Sequence, residues 1–92
     1  MNTIKKLSSM PYAQAHVEIS PNGTIALFSY TTMVCQVDTD GFVLVTGLYS
    51  MTTRKHISAF MREFGMDYCI AKECYERNVN FDMIERKFLE RV

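Results

Sequence analysis

The rhythm of apolar side chains changes once along this chain, near Ser50, and that change constrains the fold more than any single residue does. Up to about Thr46 the pattern repeats every second position. From Thr53 onward it repeats every third or fourth. A period of two belongs to a strand with two faces, and a period of 3.6 to a helix with one buried stripe. The predicted class is therefore α+β: an antiparallel β-meander of three to four strands followed by two to three helices packed on one face.

Within the first part, His16-Val17-Glu18-Ile19-Ser20 alternates polar and apolar side chains. Pro21-Asn22-Gly23 then supplies a tight reversal, because Asn-Gly tolerates positive φ. A second, long strand is expected from Thr24 to Asp38, a stretch free of glycine and proline and rich in β-branched and aromatic residues. Its polar centre, Ser29-Tyr30-Thr31-Thr32, is the place for a kink or bulge. Asp38-Thr39-Asp40-Gly41 reads as the next turn, with Gly41 in the left-handed position. Phe42–Thr46 is a third strand whose unbroken apolar run suggests cover on both faces. Residues 1–15 are weakly patterned and interrupted by Pro11, so they read as a loose arm or an edge strand.

In the second part, Thr53, Ile57, Phe60, Met61 and Phe64 share one helical stripe. This predicts a helix over 52–64, capped by Ser50 or Thr52 and closed by Gly65. Asp67 is placed to cap a shorter helix over Tyr68–Arg77, with a strand over Tyr68–Ala71 as the competing reading. Asn80 is placed to cap a third helix whose stripe is Phe81, Ile84, Phe88 and Val92, with Arg91 complementing the dipole at its end. The meander is assigned to 16–47 and the helical part to 50–92, in one domain over 1–92.

The 92 residues carry ten basic and ten acidic side chains, and both halves are close to neutral. Phosphate-backbone binding normally uses a broad positive field, so nucleic acid is the less favoured partner. A neutral chain lacks the charge that keeps copies apart, which makes a homodimer a real option. No apolar run has membrane-spanning length, and no apolar leader opens the sequence. Cys35, Cys69 and Cys74 are odd in number and lack a Cys-x-x-Cys spacing. They read as free thiols of a reducing cytoplasm.

Chemistry-bearing patterns are few. His16, His56 and the three cysteines fit no zinc spacing, so no metal and no cofactor are expected. Cys35 and His56 could meet in space, but no nucleophile motif supports catalysis. Core packing is the ordinary role of such a thiol. The expectation is a non-enzymatic protein. The distinctive stretch is Tyr49-Ser50-Met51-Thr52-Thr53-Arg54-Lys55-His56, where hydroxyls and cations gather at a helix start. Thr52, Thr53, Arg54 and Lys55 could hold an anion on free backbone N–H groups. The same hydroxyls also serve as an ordinary cap with a solvated first turn. Exposed tyrosines suit interfaces, so the candidate contact residues are Tyr30, Tyr49, Thr52, Arg54, Lys55 and Arg62.

Ser29-Tyr30-x-Thr32, Asp40-Gly41 and Gly47-x-Tyr49-Ser50-x-Thr52-Thr53-x-Lys55-His56 resemble a group of short proteins of unknown function encoded by phages and prophages of Gram-positive bacteria. The resemblance covers about residues 27–65. It implies a phage or prophage provenance and, by association, a protein that binds and blocks a host protein, as an anti-defence inhibitor does. The alternative is a nucleic-acid-binding accessory protein that uses the basic, hydroxyl-rich helix start at 52–56.

Overall fold

A computed structural model describes residues 2–91. The elements run β1 (Thr3–Lys5), β2 (Ala15–Ile19), β3 (Ile25–Ser29), β4 (Thr32–Val37), β5 (Phe42–Val45), α1 (Met51–Glu63), α2 (Tyr68–Arg77), β6 (Val79–Asp82) and β7 (Lys87–Glu90). All seven strands form one antiparallel sheet in sequence order. The helix pair is inserted between β5 and β6, which are nonetheless neighbours: Val43 lies opposite Phe81. The α+β class stands, but the expected three to four strands and two to three helices are corrected, among the described residues, to seven strands and two helices.

Three local features account for the difference. The long strand expected over 24–38 is two strands, because the chain reverses at Tyr30-Thr31 and pairs Ser29 with Thr32. Tyr30 takes the left-handed conformation, φ +58°, with no glycine or asparagine to signal it. The expected third helix is the β6–β7 hairpin, in which Phe81 faces Phe88. The Asp82 carboxylate shapes its turn by accepting from the N–H groups of Ile84 (2.9 Å) and Glu85 (3.1 Å). Arg86 sits at φ +58°. Ile84, assigned to a buried stripe, is therefore exposed at the turn. Val92 lies outside the described residues. Arg91 caps no helix. Its guanidinium crosses to the carbonyl oxygens of Val45 and Val79 and to the side chains of Asn78 and Asn80. Finally, residues 3–5 form an edge strand paired with β2, and Leu7 just beyond it is fully buried.

Both helices form where the periodicity places them. Ser50 caps α1 by accepting from the Thr53 N–H at 3.2 Å. Gly65, at φ +74°, ends it: the Gly65 N–H bonds Arg62 O and the Met66 N–H bonds Met61 O. Asp67 caps α2 over Tyr68–Arg77, so the strand alternative for Tyr68–Ala71 falls. Thr53, His56, Ile57, Phe60 and Met61 turn one face of α1 inward.

Directly opposed strand residues share a face. The rows Val17–Leu27–Cys35–Val45 and Val37–Val43–Phe81 are buried and look toward the helices. A bulge at Leu27/Phe28 adds Val34 to the same side. Phe42 and Leu44 point the other way and are only half-buried. The expectation that both faces of β5 are covered is met on one face within this chain.

Candidate functional site

The polar centre of the molecule lies where the β3–β4 reversal meets the start of α1. Ser29 ends β3 on the core side, and Thr53 and His56 lie one turn apart on the buried face of α1. Their exposures are 3%, 4% and 1%. The Ser29 hydroxyl is 2.9 Å from His56 Nδ1 and 3.0 Å from Thr53 Oγ1. Thr53 Oγ1 in turn accepts from Ser50 Oγ at 3.3 Å, and Ser50 Oγ accepts from the Thr53 N–H. One consistent assignment runs along the chain: Ser50 donates to Thr53, Thr53 to Ser29, and Ser29 to Nδ1 of a neutral imidazole. Burial favours that neutral form by holding the His56 pKa below its ordinary value. A Ser–His contact is also the grammar of an activated nucleophile. Here Ser29 is enclosed and already shared with Thr53, so its hydroxyl is closed to a substrate. The arrangement pins the 29–32 reversal to the helix start.

Two tyrosines stand on that pinned corner. Tyr30 follows Ser29, and Tyr49 precedes Ser50. Both are left-handed, at φ +58° and +43°, and both rings are largely exposed, at 52% and 62%. A left-handed backbone at a non-glycine residue costs about 1–2 kcal/mol. The Tyr30 N–H is satisfied by Gln14 O at 2.7 Å. Its ring lies tilted beside His56, with centroids 6.0 Å apart. The Tyr49 ring lies against Gly47, where an added Cβ would overlap it. Both rings thus rest on the protein while showing most of their area to solvent.

The remaining candidates divide. Met51, Arg54, Lys55 and Ser58 form the outward ridge of α1 and, with Tyr68 of α2, line an open groove of about 340 Å³. Among the described residues neither Arg54 nor Lys55 has a carboxylate partner, and both oppose the helix dipole. Thr52 is exposed in the same first turn. Arg62 is exposed in the last turn, where the dipole favours it. It lies about 12 Å along the axis from Arg54 and is not gathered into the corner.

No local pattern in the sequence announces the bond network that builds the site. The available signals were Ser29, a small polar residue at a core-facing strand position, and the i, i+3 pair Thr53 and His56 on an otherwise apolar stripe. Met51, 72% exposed and two positions after Tyr49, is a further exposed apolar side chain at the helix start. Among the cysteines, Cys35 and Cys74 are buried and Cys69 is exposed. Burial pushes the Cys35 thiol up to about 12 and the Cys74 thiol up to about 11. Among the described residues no three His, Cys, Asp or Glu side chains converge as metal ligands, and no helix is long and apolar enough to cross a membrane.

Residues 2–77 match a family described as a family of unknown function (DUF8033). That match extends well beyond the 27–65 stretch that carries the phage resemblance. No curated protein and no solved structure matches the chain.

Proposed function

For a chain that belongs to this family of unknown function, we propose the role of a small non-enzymatic protein-binding module. Its contact corner consists of Tyr30, Tyr49 and Met51, flanked by Thr52, Arg54 and Lys55. The observation that carries the reading is the pair of exposed tyrosines held in left-handed backbone on two segments tied together by the Ser50–Thr53–Ser29–His56 chain. A tyrosine fixed this way offers large amphipathic contact area and loses little further freedom on binding. Tyr, Met and Arg are also the residues that interfaces concentrate. The phage or prophage group that the Tyr49–His56 stretch resembles makes a cytoplasmic host protein the natural partner, and blocking it, as an anti-defence inhibitor does, the natural consequence.

The test is affinity capture from a nuclease-treated bacterial host lysate with the wild-type chain and with a Tyr30→Ala/Tyr49→Ala variant. The proposal expects a stoichiometric protein partner that the double variant fails to retain. Retention undiminished in the double variant would refute the corner. Arg54 and Lys55, which have no carboxylate partner among the described residues, favour a second reading, nucleic-acid binding at the helix start. That reading predicts retention on heparin that collapses with moderate salt and is lost in Arg54→Ala/Lys55→Ala.

A further inference from the structure

The sheet has a second face, and the core does not account for it. Phe28, Met33, Phe42, Leu44 and Leu89 alternate with the core-facing residues of β3, β4, β5 and β7, so they point away from both helices. All five are half-buried, yet none packs against the buried cluster that joins sheet to helices. The loop residues Leu7, Met10, Ala13 and Leu48 join that cluster on the helix side. An antiparallel sheet with one solvated face normally alternates apolar and polar residues. Here β5, paired on both edges, is apolar on both faces.

We propose that this face is covered by a second copy of the chain, sheet against sheet about a twofold axis. The charges favour a copy over a charged partner. The Glu18 carboxylate, on β2 beside the edge strand, is held by His16 Nε2 and Asn2 Nδ2, each at 3.0 Å. The Asp82 carboxylate is turned to its own hairpin N–H groups. Lys87, on the edge strand, lies 3.7 Å from Glu85. A face whose charges are already matched can meet itself without like-charge repulsion, whereas it offers an acidic or basic partner nothing to pair with. The zero net charge of the chain removes the long-range repulsion as well. The dimensions also fit. The molecule is a slab of 33 × 31 × 21 Å, and its broad side projects roughly 800 Å², about what one partner buries in a standard interface. The dimer is a four-layer stack with two sheets inside, spaced about 10 Å apart as in a sandwich.

Sedimentation velocity of the full chain from micromolar to submillimolar concentration tests this. The expected species has twice the 10.6 kDa chain mass. Leu44→Glu places a carboxylate in the contact and is expected to yield monomer. Gln36→Arg, which replaces a polar residue opposite Leu44 and so leaves folding intact, is expected to weaken dimerisation at least ~10-fold. Circular dichroism checks that each variant is folded. Arg62→Glu, on the outer side of α1, is expected to remain dimeric. A wild-type monomer at every concentration overturns the proposal. So does a dimer that Gln36→Arg leaves unchanged, or one that only Arg62→Glu dissociates.

Discussion

Replacing Ser29 by alanine removes one oxygen from the interior, and the consequence follows from who shares it. The hydroxyl serves both His56 Nδ1 and Thr53 Oγ1. After Ser29→Ala, Thr53 keeps its bond to Ser50, but Nδ1 of an imidazole only 1% exposed is left enclosed without a partner. An orphaned buried polar group costs about 1–3 kcal/mol, and the loss expected here is about 2 kcal/mol. In a domain of this size each kcal/mol moves Tm by about 4–8 °C, so Tm falls by ~10 °C, and the urea midpoint falls correspondingly. Equilibrium urea unfolding followed by circular dichroism measures it. A double-mutant cycle with His56→Leu isolates the contact, because the double variant leaves no orphan. Its loss is then smaller than the sum of the singles by about 1 kcal/mol or more. A Ser29→Ala loss within about 0.5 kcal/mol of wild type, the range of ordinary surface changes, would refute the network as the pin of the corner. Strict additivity in the cycle would refute it equally.

Three further outcomes follow from the same geometry. Because the folded-state pKa of His56 is depressed, the unfolded chain binds the extra proton first; stability is complete above pH 6.5, the ordinary value, and falls as the pH drops below it. Urea midpoints between pH 7.5 and 5 in wild type and His56→Gln check this, and an equal slope in the variant would assign the effect elsewhere. Cys69 alone is exposed, so a thiol reagent should label one cysteine rapidly in the native chain and all three after unfolding; rapid native labelling of Cys35 or Cys74 contradicts their burial. Gly47→Ala is expected to swing the Tyr49 ring off the backbone, because the new Cβ occupies the ring's place. The fluorescence and ring NMR shifts of Tyr49 should then change while stability drops by less than about 1 kcal/mol. Unfolding of this variant would show the ring to be part of the core.

Both helices were legible because each carries its full local grammar. A hydroxyl or carboxylate cap stands before an apolar stripe, and Gly65 closes the first. The Asn22-Gly23 and Asp40-Gly41 turns were legible for the same reason, since Gly23 and Gly41 take the positive φ those turns use. Two reversals carried no such sign. Tyr30 adopts the left-handed region without being glycine or asparagine, so residues 24–38 read as one strand. In the other, Phe81, Ile84 and Phe88 fall at helical spacing by coincidence. Phe81 and Phe88 meet across a hairpin, and Ile84 sits at its tip. A short apolar run satisfies both periods, and only the turn chemistry of Asp82 separates them. The candidate site was half legible. Its exposed residues stood out by type, whereas the bonds beneath them join Ser29 to His56 across 27 positions, beyond any local pattern.

The reversal at Tyr30 bears on function, and so does the left-handed Tyr49. Natural sequences agree with themselves at each level except where something other than stability is selected, so local rules tend to break at working sites. The turn at Tyr30-Thr31 would form at lower cost with glycine, and Tyr49 would sit at lower cost in extended backbone. Each strained tyrosine is flanked by a residue of one continuous bond chain that reaches from the cap of α1 into the sheet. The chain holds the strained turns in place, and the turns hold two aromatic rings outward. A glycine at position 30 should therefore raise stability while removing the ring. If Tyr30→Gly gains stability and loses the captured partner, the strain is maintained for binding. If it loses stability, the ring is a packing element and the corner is structural.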